Sequence, residues 1–314
     1  MFQKTLKNTV RCTGIGLHSG EKCYLSLRPA PENSGIVFRR MDCGGAVIPA
    51  RVEQVVDTRL CTTLANADGV TVSTVEHLLA AFAGLGVDNA YVDLDHAEVP
   101  IMDGSAAPFV FLIQCAGVVE QRAVRRYLRI RRPVSVGHGE KKASFYPSDG
   151  FKVSFFLDFD HPLLARQGVT LDINETTFIK EISRARTFGF LNEVETLQSH
   201  GFAKGASLNN AIAIGDFRVL NDGGLRYDNE FARHKIMDSI GDFYLLGHPI
   251  LGHFQGVRSG HELNNQLLRQ LLQHADAWDM VESSPVQQSS QTGVRSAAAR
   301  LVAAPVRPAM AMAY

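Results

Sequence analysis

The chain lacks any apolar run that approaches the roughly 20 residues needed by a membrane-spanning helix. Its first residues enter a polar segment without the apolar core of a signal peptide. It also lacks a charge excess, because 32 basic and 32 acidic side chains balance, and no lysine or arginine block of the kind that follows a phosphate backbone is present. We therefore expect a soluble cytoplasmic protein, with no nucleic-acid partner and no stable membrane insertion.

Cysteine is scarce and confined to one part of the chain. Five cysteines all fall within the first 116 residues, in an odd number and without CxxC spacing: Cys12, Cys23, Cys43, Cys61 and Cys115. This pattern argues against a disulfide framework and against a cysteine-rich metal site. We expect reduced thiols that are mostly buried.

The length and the hydrophobic content indicate a folded protein of one or two domains. With 314 residues, 45% of them hydrophobic, the chain can bury about three quarters of its unfolded surface. Apolar and polar residues alternate at 23–28, and residues 36–40 and 90–95 have a similar pattern, which favours three strands in the first half.

Two helices are predicted among these strands. Apolar residues recur at helical spacing at Val75, Leu78, Leu79 and Phe82. Ser73 and Glu76 predict a capping box at the start of this helix, and Gly84 with Gly86 predicts its end. A second helix includes residues 109–113 and is closed by Gly117.

An arginine-rich segment at 120–132 separates the two halves, and we place a domain boundary there. Beyond it, clean alternation at 151–159 predicts a strand, and helical periodicity returns at 231–246 and 261–273. The last segment, 283–314, has no acidic residue and is rich in Ser, Gln, Ala and Pro, so we predict a disordered tail.

The helix that begins near Ser73 carries a candidate site on the side opposite its apolar stripe. His77 lies there next to Glu76, the only charged residue in 74–86. Because a solvated face would carry more charge, this helix is expected to be covered on both sides. A capping glutamate and a hydrogen-bonded core histidine would also explain the pair.

The predicted helix at 231–246 carries a second candidate. His234, Asp238 and Asp242 follow one another at i, i+4 and i+8, with Lys235 beside them. Side chains four residues apart on a helix lie over the same turn, as in helical metal sites. A solvated face with a histidine–aspartate pair would explain the same spacing.

Together the two helices predict one catalytic site. His77, His234 and Asp238 would form a His₂Asp metal site with an open fourth position for water, and Glu76 would be the general base. His261 opens the next predicted helix, where the dipole does not favour its charged form, so an acid role requires a compensating carboxylate such as Asp242. A simple helix-entry residue is the alternative for His261.

Five segments closely resemble the UDP-3-O-acyl-N-acetylglucosamine deacetylases, the zinc enzymes of the committed step in bacterial lipid A synthesis. The segments are STVEH at 73–77, VPIMDGS at 99–105, SRARTF at 183–188, HKIMD at 234–238, and SGH at 259–261 followed by Asn264 and Asn265. The resemblance runs in order from about residue 3 to residue 280.

The resemblance implies an α+β fold of two β-α-α-β sandwich domains, 1–121 and 126–282, with the active site at their interface. It implies zinc-dependent hydrolysis of the N-acetyl group of UDP-3-O-acyl-N-acetylglucosamine, by a bacterial cytoplasmic enzyme that acts as a monomer. The implied roles are zinc ligation by His77, His234 and Asp238, general base for Glu76, general acid for His261, oxyanion or substrate contact for Thr187 and Lys235, and orientation of His261 by Asp242.

The resemblance also implies an apolar passage for the substrate's acyl chain, formed by an insertion at about 190–213. Its candidate wall residues, together with the adjacent substrate contact Phe188, are Phe190, Leu191, Val194, Phe202, Ala206 and Ile212. The same apolar residues would serve equally well as core.

Two other functions stay open at this level. A His₂-carboxylate set also suits non-haem Fe(II) oxygenases, and Fe²⁺ can occupy the hydrolytic site as well. A non-catalytic module that binds nucleotide sugars or acyl chains would use the same cleft. Glu76 beside a ligand is needed by a hydrolase but not by an oxygenase.

Overall fold

The computed structural model describes residues 1–158, 161, 163–164 and 166–282. The predicted tail at 283–314 lies outside these residues. Within them, helices and sheets are mixed, so the predicted α+β class is confirmed. The division into two sandwich domains remains a prediction.

Nineteen strands are present in the described part of the chain. They are β1 (Phe2–Leu6), β2 (Val10–Ile15), β3 (Lys22–Pro29), β4 (Ile36–Arg40), β5 (Ala46–Pro49), β6 (Val55–Asp57), β7 (Thr63–Ala65), β8 (Thr71–Val72), β9 (Ala90–Leu94), β10 (Val118–Val124), β11 (Arg126–Ile130), β12 (Val134–His138), β13 (Lys141–Tyr146), β14 (Phe151–Leu157), β15 (Gln167–Asp172), β16 (Phe188–Phe190), β17 (Ile212–Ile214), β18 (Ile250–Val257) and β19 (Trp278–Glu282).

Six α-helices accompany the strands in the same residues: α1 (Glu76–Gly84), α2 (Ala107–Ala116), α3 (Glu175–Thr177), α4 (Leu191–Ser199), α5 (Glu230–Phe243) and α6 (His261–Gln273). A π-helical turn, Phe178–Ile182, follows α3, and a 3₁₀ turn, Tyr244–Leu246, extends α5. Over the described ranges, none of the helices combines the length and the apolar character that crossing a membrane requires.

The strands before Arg125 form three sheets of their own. The largest has the order β2-β3-β9-β4-β5, in which β9 is antiparallel to β3 and parallel to β4. The alternation predicted for 23–28 is confirmed, because Cys23, Leu25 and Leu27 are buried on one face of β3. Strands β6, β7 and β8 form a small sheet, and β1 pairs with β10.

A seven-stranded sheet holds most strands of the second half. Its central strand, β18, pairs with β11 and β14 in parallel and with β13 antiparallel. The predicted strand at 151–159 is β14, which ends at Leu157, while Phe159 lies outside the described residues. Helices α5 and α6 contact this sheet and present their other sides to the first half of the chain.

Helices α1 and α5 pack against each other at very short range. A β-carbon on Gly241 of α5 would collide with the backbone carbonyl of Glu76 at the start of α1. Only glycine permits this approach, because any side chain would push the two backbones apart. The contact places the first turn of α1 beside the middle of α5.

Two expectations about the first half are wrong. The predicted capping box does not form, because Ser73 Oγ donates to Ala97 O at 3.2 Å and the Glu76 carboxylate accepts from the Thr62 N–H instead. The cysteines are free but not mostly buried: only Cys23 and Cys61 are, whereas Cys43, in a surface turn, and Cys115, on the outer side of α2, are exposed. The predicted helix ends at Gly84 and Gly117 are confirmed.

We expect Gly241→Ala to lower the free energy of unfolding by about 1–3 kcal/mol, as overpacking of a tight contact does. The added methyl group would separate α1 from α5 and displace Glu76. Urea unfolding measures the change. Gly223→Ala is the matched control, because its β-carbon would meet nothing within 4 Å. Equal stability of the two variants would contradict the tight packing.

Candidate active site

Two helices bring together the three predicted metal ligands. His77 lies in the first turn of α1, and His234 and Asp238 lie one turn apart on α5. Asp238 Oδ1 is 3.4 Å from His77 Nε2 and 3.3 Å from His234 Nε2. One donor atom from each residue lies within 4.8 Å of the others, and all three side chains are buried.

The hydrogen bonds of this cluster show that it fits a cation. A backbone carbonyl can only accept, so the 3.2 Å contact of His234 Nδ1 with Ala185 O makes Nδ1 the proton-bearing nitrogen. Burial lowers the pKa of His234 to about 3, so its ring is neutral and its Nε2 lone pair faces Asp238 Oδ1. That oxygen is buried and has no hydrogen-bond donor. Two facing lone pairs repel unless a positive ion lies between them.

The other oxygen of Asp238 is held by a lysine from the same helix. Lys235 Nζ donates to Asp238 Oδ2 at 2.9 Å. Burial alone would raise the pKa of Asp238, but the adjacent ammonium group of Lys235 opposes this effect, and the pKa lies well below its ordinary range. Asp238 is therefore ionised across the physiological range, as a metal ligand must be.

Glu76 is buried beside the cluster with its carboxylate only partly satisfied. Its Oε2 accepts from the Thr62 N–H at 3.1 Å, and its Oε1 is 3.8 Å from His261 Nε2. Burial raises the pKa of Glu76 above its usual value of 4.5, against the opposing effect of His261 and His77. A carboxylate with a raised pKa is a better proton acceptor near neutral pH.

His261 faces Glu76 from the first turn of α6. Its Nδ1 is 2.9 Å from Asp242 Oδ2, and its Nε2 is 3.8 Å from Asp238 Oδ2. Burial alone would lower the pKa of His261, but Asp242 and Glu76 raise it to about 9. The ring therefore carries two protons at neutral pH. The carboxylate partner predicted for His261 is in contact with it.

Two residues that hold Asp242 were not predicted. Thr62 Oγ1 donates to Asp242 Oδ1 at 2.6 Å, and Asn264 Nδ2 donates to Oδ2 at 2.8 Å. Asn264 lies three residues after His261 on α6, a spacing that could have suggested it. Thr62 lies in the connection between β6 and β7, where no sequence pattern points to the site.

A third residue outside the prediction is His18. It lines the cavity that contains the cluster, and its Nδ1 is 3.4 Å from the Ala203 N–H. Its Nε2 is buried without a partner. The loop that carries it is fixed by Glu98, whose carboxylate accepts from the main-chain N–H groups of His18 and Ser19.

The cluster lies in a cavity of about 730 Å³. Thr187, Phe188 and Lys235 line it, as do Glu76 and His261. The backbone of Thr187 is fixed on both sides, since its N–H donates to Gly104 O and its carbonyl accepts from the Ile212 N–H, each at 2.8 Å. Four further basic side chains line this cavity: Arg59, His138, Lys141 and Arg258.

Phe188 is the one predicted acyl-chain or substrate contact that lines this cavity in the described structure. It packs edge-on against Phe231 at a centroid distance of 4.9 Å. Phe202 packs on the ring of His18 at 5.6 Å, Leu191 is 51% exposed, and Ile212 is fully buried. An acyl passage formed by the insertion remains a prediction.

A family model for UDP-3-O-acyl N-acetylglycosamine deacetylase matches residues 3–273. The chain belongs to this deacetylase family. The family is metal-dependent, and the described His77–His234–Asp238 cluster is a group that could hold the ion.

Several relatives of the deacetylase family match nearly the whole chain. The UDP-3-O-acyl-N-acetylglucosamine deacetylase of Teredinibacter turnerae is 56% identical over 90% of this chain and 96% of its own length. Those of Acidithiobacillus ferrooxidans and Pseudomonas entomophila are 59% and 58% identical, each over 89% of this chain and 93% of their own length.

We expect the protein to bind one divalent ion. At a free metal concentration 100 times the Kd, binding should raise the free energy of unfolding by about 2.7 kcal/mol. His234→Ala should abolish this stabilisation, because it removes one of three ligands. Metal analysis of dialysed protein and thermal unfolding with added Zn²⁺ measure both effects. His200→Ala, at the exposed end of α4, is the control. Equal metal content in both variants would refute the assigned ligands.

Proposed function

We propose that this protein hydrolyses the N-acetyl group of UDP-3-O-acyl-N-acetylglucosamine to give UDP-3-O-acyl-glucosamine and acetate, the committed step of lipid A biosynthesis. Membership of the deacetylase family and relatives of that name over about nine tenths of the chain support the substrate. The observation that supports the hydrolytic chemistry is the position of Glu76 and His261 next to the metal-ligand cluster, where Glu76 Oε1 is 3.8 Å from His261 Nε2.

We propose zinc as the ion, held by His77, His234 and Asp238. Two imidazoles and one carboxylate with an open position are typical of catalytic zinc sites, although Fe²⁺ fits the same ligands. The chemistry that a bound ion would supply is polarisation of the amide carbonyl and a lowering of the pKa of bound water toward ~7.

Glu76 is the general base in this proposal. Its Oε2 is fixed by the Thr62 N–H, which leaves Oε1 to accept the proton of the attacking water. The raised pKa of Glu76 helps this transfer, because a carboxylate with a higher pKa is a stronger base toward water. A non-catalytic binding module would have no need for a buried, incompletely satisfied carboxylate here.

His261 is the general acid and electrostatic stabiliser. Asp242 accepts from its Nδ1, so its Nε2–H points toward Glu76 and the cluster. With a pKa of about 9, the ring is charged before the reaction begins and can protonate the departing sugar amine. Lys235 and Thr187, which line the same cavity, would hold the developing oxyanion; one such donor contributes about 3 kcal/mol.

The cavity has features that suit both ends of the substrate. Lys141 and Arg258 provide positive charge for a diphosphate, and Arg258 is currently paired with Glu140 at 2.6 Å. The apolar residues of the 190–213 segment would receive the acyl chain, with Phe188 at its entrance.

We further propose that the halves 1–121 and 126–282 are the two sandwich domains and that the enzyme works as a monomer. In support, the described sheets each take their strands from one side of Arg125, and all site residues named above belong to one chain. A cytoplasmic location in a bacterium is supported by five free cysteines, which such a compartment keeps reduced.

We expect Glu76→Gln to reduce acetate release from acylated UDP-GlcNAc by at least about 100-fold, because the amide cannot accept the proton of water. Metal content should stay at one ion, since the ligands are untouched. Glu120→Gln, an exposed change on β10, is the control. Full activity of Glu76→Gln would contradict the assignment of Glu76 as the base. If the unmodified protein formed no product under any metal condition, a non-catalytic binding module would be favoured.

We expect a bell-shaped dependence of kcat/KM on pH. As pH falls through the raised pKa of Glu76, its carboxyl becomes protonated and activity declines. As pH rises through about 9, His261 loses its second proton and activity declines again. His261→Ala should therefore remove the basic limb as well as lower the maximum. A basic limb that is unchanged in this variant would count against His261 as the acid.

A further inference from the structure

We infer that Thr62 is a positioning residue. It fixes the position of Glu76, the general base, relative to Asp242, the carboxylate that orients the general acid His261. The inference rests on the proposed function, because it takes Glu76 as the base and the Asp242–His261 pair as the acid. Thr62 does not line the cavity, so it acts through these residues rather than on the substrate.

Thr62 binds both carboxyl groups at once, through different atoms. Its backbone N–H donates to Glu76 Oε2 at 3.1 Å, and its hydroxyl donates to Asp242 Oδ1 at 2.6 Å. Among the described residues, it alone donates a hydrogen bond to both carboxylates. The residue is 2% exposed, so water does not compete for either bond.

The hydroxyl satisfies an oxygen that has no other donor. Asp242 Oδ2 accepts from His261 Nδ1 and from Asn264 Nδ2, whereas Oδ1 accepts only from Thr62. Asp242 is 3% exposed, and a buried carboxylate oxygen left without a donor is strongly unfavourable. Without the hydroxyl, we expect the carboxylate to rotate toward another donor and to take His261 with it.

The main chain of Thr62 is fixed to the start of α1. Its carbonyl accepts from the Val75 N–H at 3.4 Å, one residue before Glu76. Its side chain reaches the opposite helix, α5, through Asp242. Thr62 therefore links the segment that carries the base to the helix that orients the acid. Misplacement of reacting groups by about 1 Å can reduce a rate about 100-fold.

Thr62→Val is the direct test, because valine keeps the shape and the backbone N–H but loses the hydroxyl. We expect kcat for acetate release to fall about 10- to 100-fold, with KM changed by less than about twofold and metal content unchanged. Thr62→Ser should recover kcat to within about threefold. The control is Thr63→Val, whose hydroxyl lies near Cys61 Sγ at 3.8 Å and away from both carboxylates.

A double-mutant cycle separates positioning from general destabilisation. If Thr62 acts through Asp242, Thr62→Val should change kcat by less than about threefold when Asp242→Asn is already present. The same fall in both backgrounds would overturn the inference, as would a failure of Thr62→Ser to recover activity or an unchanged kcat in Thr62→Val.

The two hypotheses fail in different ways. Unmodified protein that releases no acetate with bound metal would overturn the proposed function and the inference with it. Active unmodified protein with a Thr62→Val variant of equal kcat would overturn only the inference. A Thr62→Val variant whose melting temperature falls, but whose kcat measured well below that temperature equals that of Thr62→Ser, would also overturn the inference.

Discussion

The short approach of α1 to α5 is the constraint on which the site depends. Glycine at position 241 allows the backbone at Glu76 to lie directly against α5. His77 then comes within 3.4 Å of Asp238, although more than 150 residues separate them in the chain. Neither helix holds a complete ligand set, so formation of the site and packing of the two halves are a single event.

The balance of buried charge explains why the centre suits a cation. It holds three carboxyl groups, from Glu76, Asp238 and Asp242, all at most 3% exposed. Lys235 and His261 supply positive charge within hydrogen-bond range of two of them. An uncompensated buried charge costs several kcal/mol, and a cation at the cluster would more than offset the single negative charge that remains. The two carboxyl groups nearest the cluster respond differently: the positive charge of Lys235 helps to keep the pKa of Asp238 well below its ordinary range, whereas burial raises the pKa of Glu76.

Periodicity made part of this molecule predictable. The apolar alternation of β3 and the regular spacing of His234 and Asp238 on α5 follow from local geometry, so the sequence indicated both. Thr62 could not be found in this way, because its importance comes from contacts with residues 14 and 180 positions away. Tertiary contacts also explain the failed capping box: the carboxylate of Glu76 bonds to a distant loop rather than to its own helix. The residues predicted to line an acyl passage share only their apolar character, which protein cores and binding walls have in common.

The number of residues per turn of α5 places side chains four residues apart in two different environments. Each step of four residues advances a side chain by about 40° around the axis, so Asp242 is turned about 80° from His234. That rotation carries Asp242 past the ligand cluster and toward the first turn of α6, where it meets His261. If the helix repeated every four residues, the side chains of His234, Asp238 and Asp242 would all point in the same direction. The gradual drift of an ordinary helix instead directs His234 and Asp238 toward the candidate ligand cluster and Asp242 toward His261.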